Sequence, residues 1–256
     1  MNTDIVVVAQ STDPTGLVSS YDRAFRKLGL TTSVFDLSRH TLESTRLISS
    51  PPLRAMGRMI LGQVDLRPSS RKSNRLLVRK ICESRPKLVF VVGGDLLRVA
   101  TLVALRVLAP GIKLVNVYQD MVFNIDGNLF QALPLYDKFL CHTEAAVSHL
   151  RDAGVKSAGY VPLAADPSLH HPVQLSDSDR RQFSCDVVYA GNYRPEYEEY
   201  FEALRGRDLA IWGSSYWTKA KSDWVRSRYR GRAVFGVDYV KAHIAAKVCL
   251  NPIDPL

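Results

Sequence analysis

In the stretch Cys185-Asp-Val-Val-Tyr-Ala-Gly-Asn-Tyr-Arg-Pro-Glu196, residue types that can bind a diphosphate stand together. Residues 186–190 form a short apolar, β-branched run, and Gly191 and Asn192 tolerate a tight turn. Arg194 offers a planar fork of donors, and Pro195 suits the first turn of a helix. Glu196, Glu198 and Glu199 then put negative charge where a helix begins. A strand that feeds a helix through a glycine turn leaves backbone N–H groups available to phosphate. An ordinary βα turn that binds nothing has the same pattern, so the stretch alone leaves both readings open.

A second charged region lies between residues 46 and 80, where nine Lys and Arg residues face a single acid, Asp65, within a chain of formal net charge +9. Such a patch attracts nucleic acid, acidic lipid headgroups or an anionic substrate. No RNP pattern, zinc finger or GxxG loop accompanies it, so nucleic acid is not the expected partner. Residues 53–61 carry Arg54 and Arg58 among apolar positions, and residues 74–82 carry Arg75 and Arg79 in the same way; Arg71 and Lys72 stand just before the second run. Both runs read as short basic amphipathic helices. They either close the domain with their apolar sides or meet an anionic membrane surface.

The elements that position these residues follow from the hydrophobic pattern. Strand-like runs at 5–9, 31–36, 87–92, 113–118, 137–141 and 157–161, the first of them continuously apolar, alternate with helical spacing, for example Leu17, Tyr21, Ala24, Phe25 and Leu28. This predicts an α/β fold with a parallel sheet and helices on both faces. The opening strand–helix–strand resembles a Rossmann half, but its loop, Gln10-Ser-Thr-Asp-Pro-Thr-Gly16, lacks GxGxxG, so no dinucleotide site is expected there. Three prolines between 162 and 172 and a polar run to Gln182 predict a linker at 163–183. The chain then reads as a domain of 1–162, with the basic helical insert at about 40–85, and a second of 184–256. In the second half, strands are expected at 185–190, 209–212, 233–235 and 248–251, with helices at 217–228 and 237–246.

Composition narrows the class. The chain has 256 residues, 46% of them hydrophobic, with no run of about 18 apolar residues to span a bilayer. The N-terminus goes straight into a strand and lacks the basic and apolar regions of a signal peptide, so a cytoplasmic protein is expected. Cys82, Cys141, Cys185 and Cys249 form no CxxC and have no histidine at zinc spacing; they are expected as buried thiols, with no metal site.

Several motifs in order carry a family resemblance. Tyr160-Val-Pro-Leu-Ala-Ala-Asp-Pro-Ser-Leu-His170 resembles the interdomain signature of GT-B glycosyltransferases. The run 185–196, then Leu209-Ala-Ile-Trp-Gly213, then Ala245-Ala-Lys-Val-Cys-Leu-Asn251, is similar to the CgeB-like branch of that superfamily, as are 115–120 and 136–141. The resemblance implies two Rossmann-like, doubly wound domains, the first holding an acceptor and the second a nucleotide-sugar donor. It implies no metal and no cofactor beyond the nucleotide-sugar substrate. Gly191, Asn192 and Arg194 would face the donor diphosphate, and Gly213 and Ser214 would lie near the nucleotide. Asp120, at a strand end, would be an acceptor-side base or a structural cap. His142 would contact the acceptor or pack at a helix N-terminus.

The sequence departs from that family after Leu250-Asn251-Pro252, where the family carries a Glu-bearing helix start that contacts the donor. The second domain is therefore expected to be incomplete, at about 75 residues against the roughly 100 of a typical small domain. Sugar transfer by the chain as written is expected to be weak or absent. The alternative expectation is a non-catalytic nucleotide-sugar-binding or scaffold protein with the same fold. For the basic insert, an anionic lipid at the inner membrane face or a glycolipid-phosphate acceptor is the expected partner, rather than nucleic acid.

Overall fold

Ile5-Val-Val-Val-Ala9 is buried at every position, as a run without polar alternation must be when both faces of its sheet are covered. In the computed structural model, which describes residues 3–10, 12–38 and 68–252, the chain divides into two compact units, Met1–Ala164 and Ala165–Leu256.

Unit 1 runs β1 (Ile5–Ala9), α1 (Leu17–Lys27), β2 (Thr32–Asp36), α2 (Pro68–Ser84), β3 (Leu88–Val92), α3 (Val99–Leu108), β4 (Lys113–Tyr118), α4 (Gly127–Ala132), β5 (Lys138–Cys141), α5 (Glu144–Asp152) and β6 (Ala158–Tyr160) among its described residues. The sheet is parallel throughout in the order β2-β1-β3-β4-β5-β6. Side chains alternate between two cores, as a period of two requires. Val6, Val8, Val89 and Val91 enter one, and Ile5, Val7, Phe90 and Val92 enter the other. On the second face Tyr21 and Phe25 of α1 meet the Phe90 ring edge-on, at centroid distances of 4.9 and 5.1 Å. Those contacts fix α1 over the sheet.

Helix α2 uses its apolar stripe internally. Leu77 and Ile81 are fully buried in the first core, while Arg71, Lys72, Arg75 and Arg79 are exposed on the other side. Burying two such side chains contributes about 1.5–3 kcal/mol each, which holds the helix against the sheet and leaves only its charge outside. Of the two basic helices expected from the sequence, 53–61 with Arg54 and Arg58 lies outside the described residues.

Unit 2 runs α6 (Asp177–Phe183), β7 (Cys185–Ala190), α7 (Tyr197–Glu202), β8 (Leu209–Trp212), a 3₁₀ turn (Ser215–Lys219), α8 (Asp223–Arg228), α9 (Gly236–Ala245) and β9 (Ala246–Cys249). Its parallel sheet has the order β8-β7-β9. One face is covered by Tyr197, Phe201, Trp217 and Val225, the other by Phe183, Val234 and Ala242. The α/β class with parallel sheets and covered faces is as the sequence predicts.

Several expectations need correction. Residues 233–235 form no strand. The preceding segment touches β8 through one bridge, Tyr229 to Ile211, and Gly236, at φ 54°, turns the chain into α9. The helix expected over 217–228 is split, because the Ser222 side chain accepts from Val225 N–H and starts α8 anew. Residues 177–183, within the expected linker, are helical, with a capping box between Ser176 and Asp179. Cys141 and Cys185 are buried, but Cys82 is only partly covered, and Cys249 is exposed because β9 pairs on one side alone, with β7.

Candidate functional site

In unit 1 the chain leaves β1 toward β2 on one side of the sheet, and β3 and its successors lie on the other. The carboxyl ends of β1 and β3 therefore flank a topological switch point, where open α/β sheets bind ligands. An open cavity of about 380 Å³ lies there, within the range of small-molecule sites. Its walls come from the three adjacent strand ends: Gln10 and Asp13 after β1, Gly93 and Asp95 after β3, and Tyr118, Gln119 and Asp120 at the end of β4. Gly16, Leu17 and Val18, at the start of α1, close a fourth side.

Local hydrogen bonds set these groups. The Asp13 carboxylate accepts from Thr15 Oγ1 at 2.6 Å and Thr15 N at 2.7 Å, and both hold its pKa below the usual carboxylate range. The Gly16 N–H donates to Asp13 O at 3.0 Å, which brings the acid up to the amino end of α1. Asn116, fully buried beneath the cavity, donates from Nδ2 to Gly93 O at 2.7 Å. Gly94, at φ 118°, leaves room for that amide, since a Cβ there would stand 2.9 Å from Asn116 Nδ2. Asp120 Oδ1 accepts from Met121 N at 2.7 Å and Asn124 Nδ2 at 2.9 Å, so Oδ2 is the oxygen left for a ligand. Burial first, then the charges of Asp120, Asp95 and Asp126, push the Tyr118 phenol up to about 12, and it stays protonated. Gln10 Nε2 and Gln119 Oε1 are buried without a hydrogen-bond partner.

Of the two residues expected on the acceptor side, Asp120 lines this cavity and His142 does not. His142 follows β5, two places beyond β3 in the sheet, with its Nδ1 buried and unpartnered. Thr143, not His142, caps α5 by accepting from Ala146 N. Gln10, Asp13, Asp95 and Gln119 were not among the expected site residues. The signal for them was available: each is a polar residue at or just past the carboxyl end of a strand predicted to be buried on both faces.

In unit 2 the ends of β7 and β8 are tightly filled. Gly191 donates its N–H to Trp212 O at 2.9 Å, and its carbonyl accepts from Trp217 Nε1 at 3.0 Å. Gly213 donates to Arg232 O at 3.1 Å and accepts from the Tyr229 hydroxyl at 3.2 Å. A Cβ on Gly213 would stand 2.2 Å from Gly191 O. Asn192 and Arg194 are exposed just beyond, and Ser214 is partly exposed. Glu198 is buried and accepts from the Tyr193 hydroxyl at 2.6 Å and from the N–H groups of Ser222 and Lys221, so this carboxylate ties α7 to the start of α8.

Among the described residues no three His, Cys, Asp or Glu side chains cluster so as to hold a metal, and no helix is long and apolar enough to cross a membrane.

No family model matches the sequence, and no curated protein does. Solved structures match by shape. The Staphylococcus aureus MnaA–UDP complex superposes with a TM-score of 0.56 at 16% identity, over 94% of this chain and 70% of that one. The UDP-GlcNAc 2-epimerase of Methanocaldococcus jannaschii, in complex with UDP-GlcNAc and UDP, gives 0.56 at 12%, over 97% and 78%. The UDP-forming α,α-trehalose-phosphate synthase of Burkholderia xenovorans gives 0.54 at 12%, over 96% and 77%. At these identities the likeness is one of fold, and the fold is the two-domain, Rossmann-like GT-B type.

Proposed function

We propose that this protein binds a nucleotide-sugar and transfers its sugar to an acceptor, as a GT-B glycosyltransferase with its acceptor in the unit 1 cavity. The observation that carries the reading is that cavity, at the switch point of the sheet, with Asp120 in its wall. The neighbours named above include complexes with UDP and UDP-GlcNAc, which supports a uridine-type donor. Arg194, exposed after β7, would meet the diphosphate, with Asn192 beside it and Ser214 nearer the nucleotide. In the transfer, the acceptor oxygen bonds to the anomeric carbon as the bond from that carbon to the diphosphate breaks. The acceptor proton passes to Asp120 Oδ2, and the nucleoside diphosphate leaves with the bonding pair. The motifs at 115–120, 136–141, 185–196, 209–213 and 245–251 favour the CgeB-like branch.

Calorimetry with UDP and other nucleoside diphosphates tests the donor half. Arg194→Ala is expected to weaken diphosphate binding by roughly 1.5–3 kcal/mol, the range for a charge-assisted hydrogen bond. No binding of any nucleoside diphosphate would sink the reading. The epimerases among the structural neighbours favour a second reading, in which a nucleotide-sugar is altered without an acceptor. Proton NMR of UDP-GlcNAc incubated with the protein alone separates the two, since only the second reading expects a new sugar configuration.

A further inference from the structure

The unit 1 cavity also carries information about what enters it. Its described lining holds three carboxylates, Asp13, Asp95 and Asp120, and no Lys, Arg or His. This is the reverse of the chain as a whole, which carries +9. The one positive feature at the cavity, the amino end of the eleven-residue helix α1, already has Asp13 beside it, held ionised by Thr15. The three acids stand after three different strands and do not gather into a metal site. Each can therefore meet a different group of one larger molecule.

The neutral polar groups point the same way. Gln119 Oε1 needs a donor, and Gln10 Nε2 needs an acceptor. The last torsion of a glutamine is soft, so each amide end can turn toward the cavity it lines. Together with the carboxylates, the wall presents more acceptors than donors. A phosphate or carboxylate brings acceptors only, whereas a hydroxyl donates and accepts at once. Leu17, Val18 and Val92 also line the cavity, apolar residues suited to the C–H faces of a sugar ring or polyol.

We infer that the acceptor cavity takes a polyhydroxylated compound that is uncharged or carries an ammonium group, and that it discriminates against phosphorylated ones. This rests on the transferase reading for the word acceptor, but the binding preference stands on the cavity itself. It also separates the cavity from the exposed basic face of α2, whose Arg71, Lys72, Arg75 and Arg79 are absent from the lining. An anionic molecule drawn to the chain by that face is not thereby a substrate.

Saturation-transfer NMR on the full chain with glucose, glucosamine and glucose 6-phosphate as probes tests the inference, with UDP affinity measured on the same sample. Glucose and glucosamine are expected to bind, and glucose 6-phosphate at least about ten-fold more weakly, since it carries like charge toward the carboxylates. Asp95→Asn, an exposed position, is expected to narrow that gap by at least about three-fold while leaving UDP affinity unchanged. The inference is overturned if the phosphate ester binds as well as glucose, if neither uncharged nor amino probe binds, or if Asp95→Asn leaves the gap as it was. Loss of UDP binding with the probe ranking intact would instead remove the transferase reading and leave the cavity preference standing.

Discussion

The strand ends of the two units are built from the same parts and do opposite things. Each has a glycine where a parallel strand leaves the sheet. In unit 1, Gly93 and Gly94 carry the chain around an open cavity, supported from below by Asn116. In unit 2, Gly191 and Gly213 are pressed against each other and against Trp217, with their N–H groups already bonded. The difference teaches that a glycine at a strand end has two physical meanings. It either lets the chain turn around a space or lets two backbones close one. Which applies depends on whether a large side chain arrives from elsewhere, and here Trp217 arrives in unit 2.

The sharpest way to break the comparison is to remove that side chain. Trp217 is fully buried, and Trp217→Ala is expected to cost about 3–5 kcal/mol and to open space between Gly191 and Gly213. Urea unfolding followed by the remaining tryptophans reads unit 2 alone, since Trp212, Trp217 and Trp224 are all three of the chain's tryptophans. A loss below about 1 kcal/mol would mean that the strand ends do not rest on this ring. The next largest effect is expected at the glycines. Gly213→Ala places a methyl 2.2 Å from Gly191 O and 2.6 Å from Trp217 Nε1, and an overpacked site of this kind costs about 1–3 kcal/mol. Gly93→Ala meets only ordinary van der Waals contact, the nearest atom being Gln10 Nε2 at 3.6 Å. It pays only for its left-handed φ of 76°, about 1–2 kcal/mol, seen by circular dichroism. Equal penalties with equal loss of ligand binding would erase the distinction between the two ends.

The comparison also marks what the sequence could show. The strands β1 and β3 were legible because each is a continuous apolar run, and a run such as Ile5–Ala9 has no other stable place than between two layers, whereas β2, Thr32–Asp36, is mixed in character and half-buried throughout. Asp120 was legible because it stands just past the end of a strand, Lys113–Tyr118. Gln10 and Asp95 were equally placed, but they form no motif, and only the sheet order brings them to one cavity. Gly191 reads as a diphosphate-turn residue and Gly213 as one near the nucleotide, because nothing local reveals that Trp217 reaches back to the Gly191 carbonyl across 26 positions. For α2, periodicity showed an apolar and a basic side. It could not show that Leu77 and Ile81 are already covered by the core, since a helix facing a membrane and one facing a sheet have the same stripe. The short run 233–235 lacks the pairing that turns an apolar triplet into a strand, and pairing is not a local property.

The smallest expected effect concerns how unit 2 is held together. Lys241 of α9 donates to Asp179 of α6 at 2.7 Å. That bond, with the Ser176 hydroxyl and N–H, draws the Asp179 carboxyl from 3.8 down to about 2. A carboxylate with a lower pKa in the folded state adds stability that is fully present above its unfolded value and is lost as pH falls through its folded value. The contribution from this residue should therefore decline from near pH 4 and be gone near pH 2. Asp186, held by Lys247, and Glu202, held by Arg205, are lowered in the same direction, so the wild-type slope has several sources. Asp179→Asn should be less stable than wild type at pH 6 and lose less on acidification, so that the two tryptophan-detected urea midpoints approach each other between pH 4 and pH 2.5. Midpoints that fall in parallel would show that α6 and α9 are joined by the apolar contacts of Phe183 and Ala242 rather than by this ion pair.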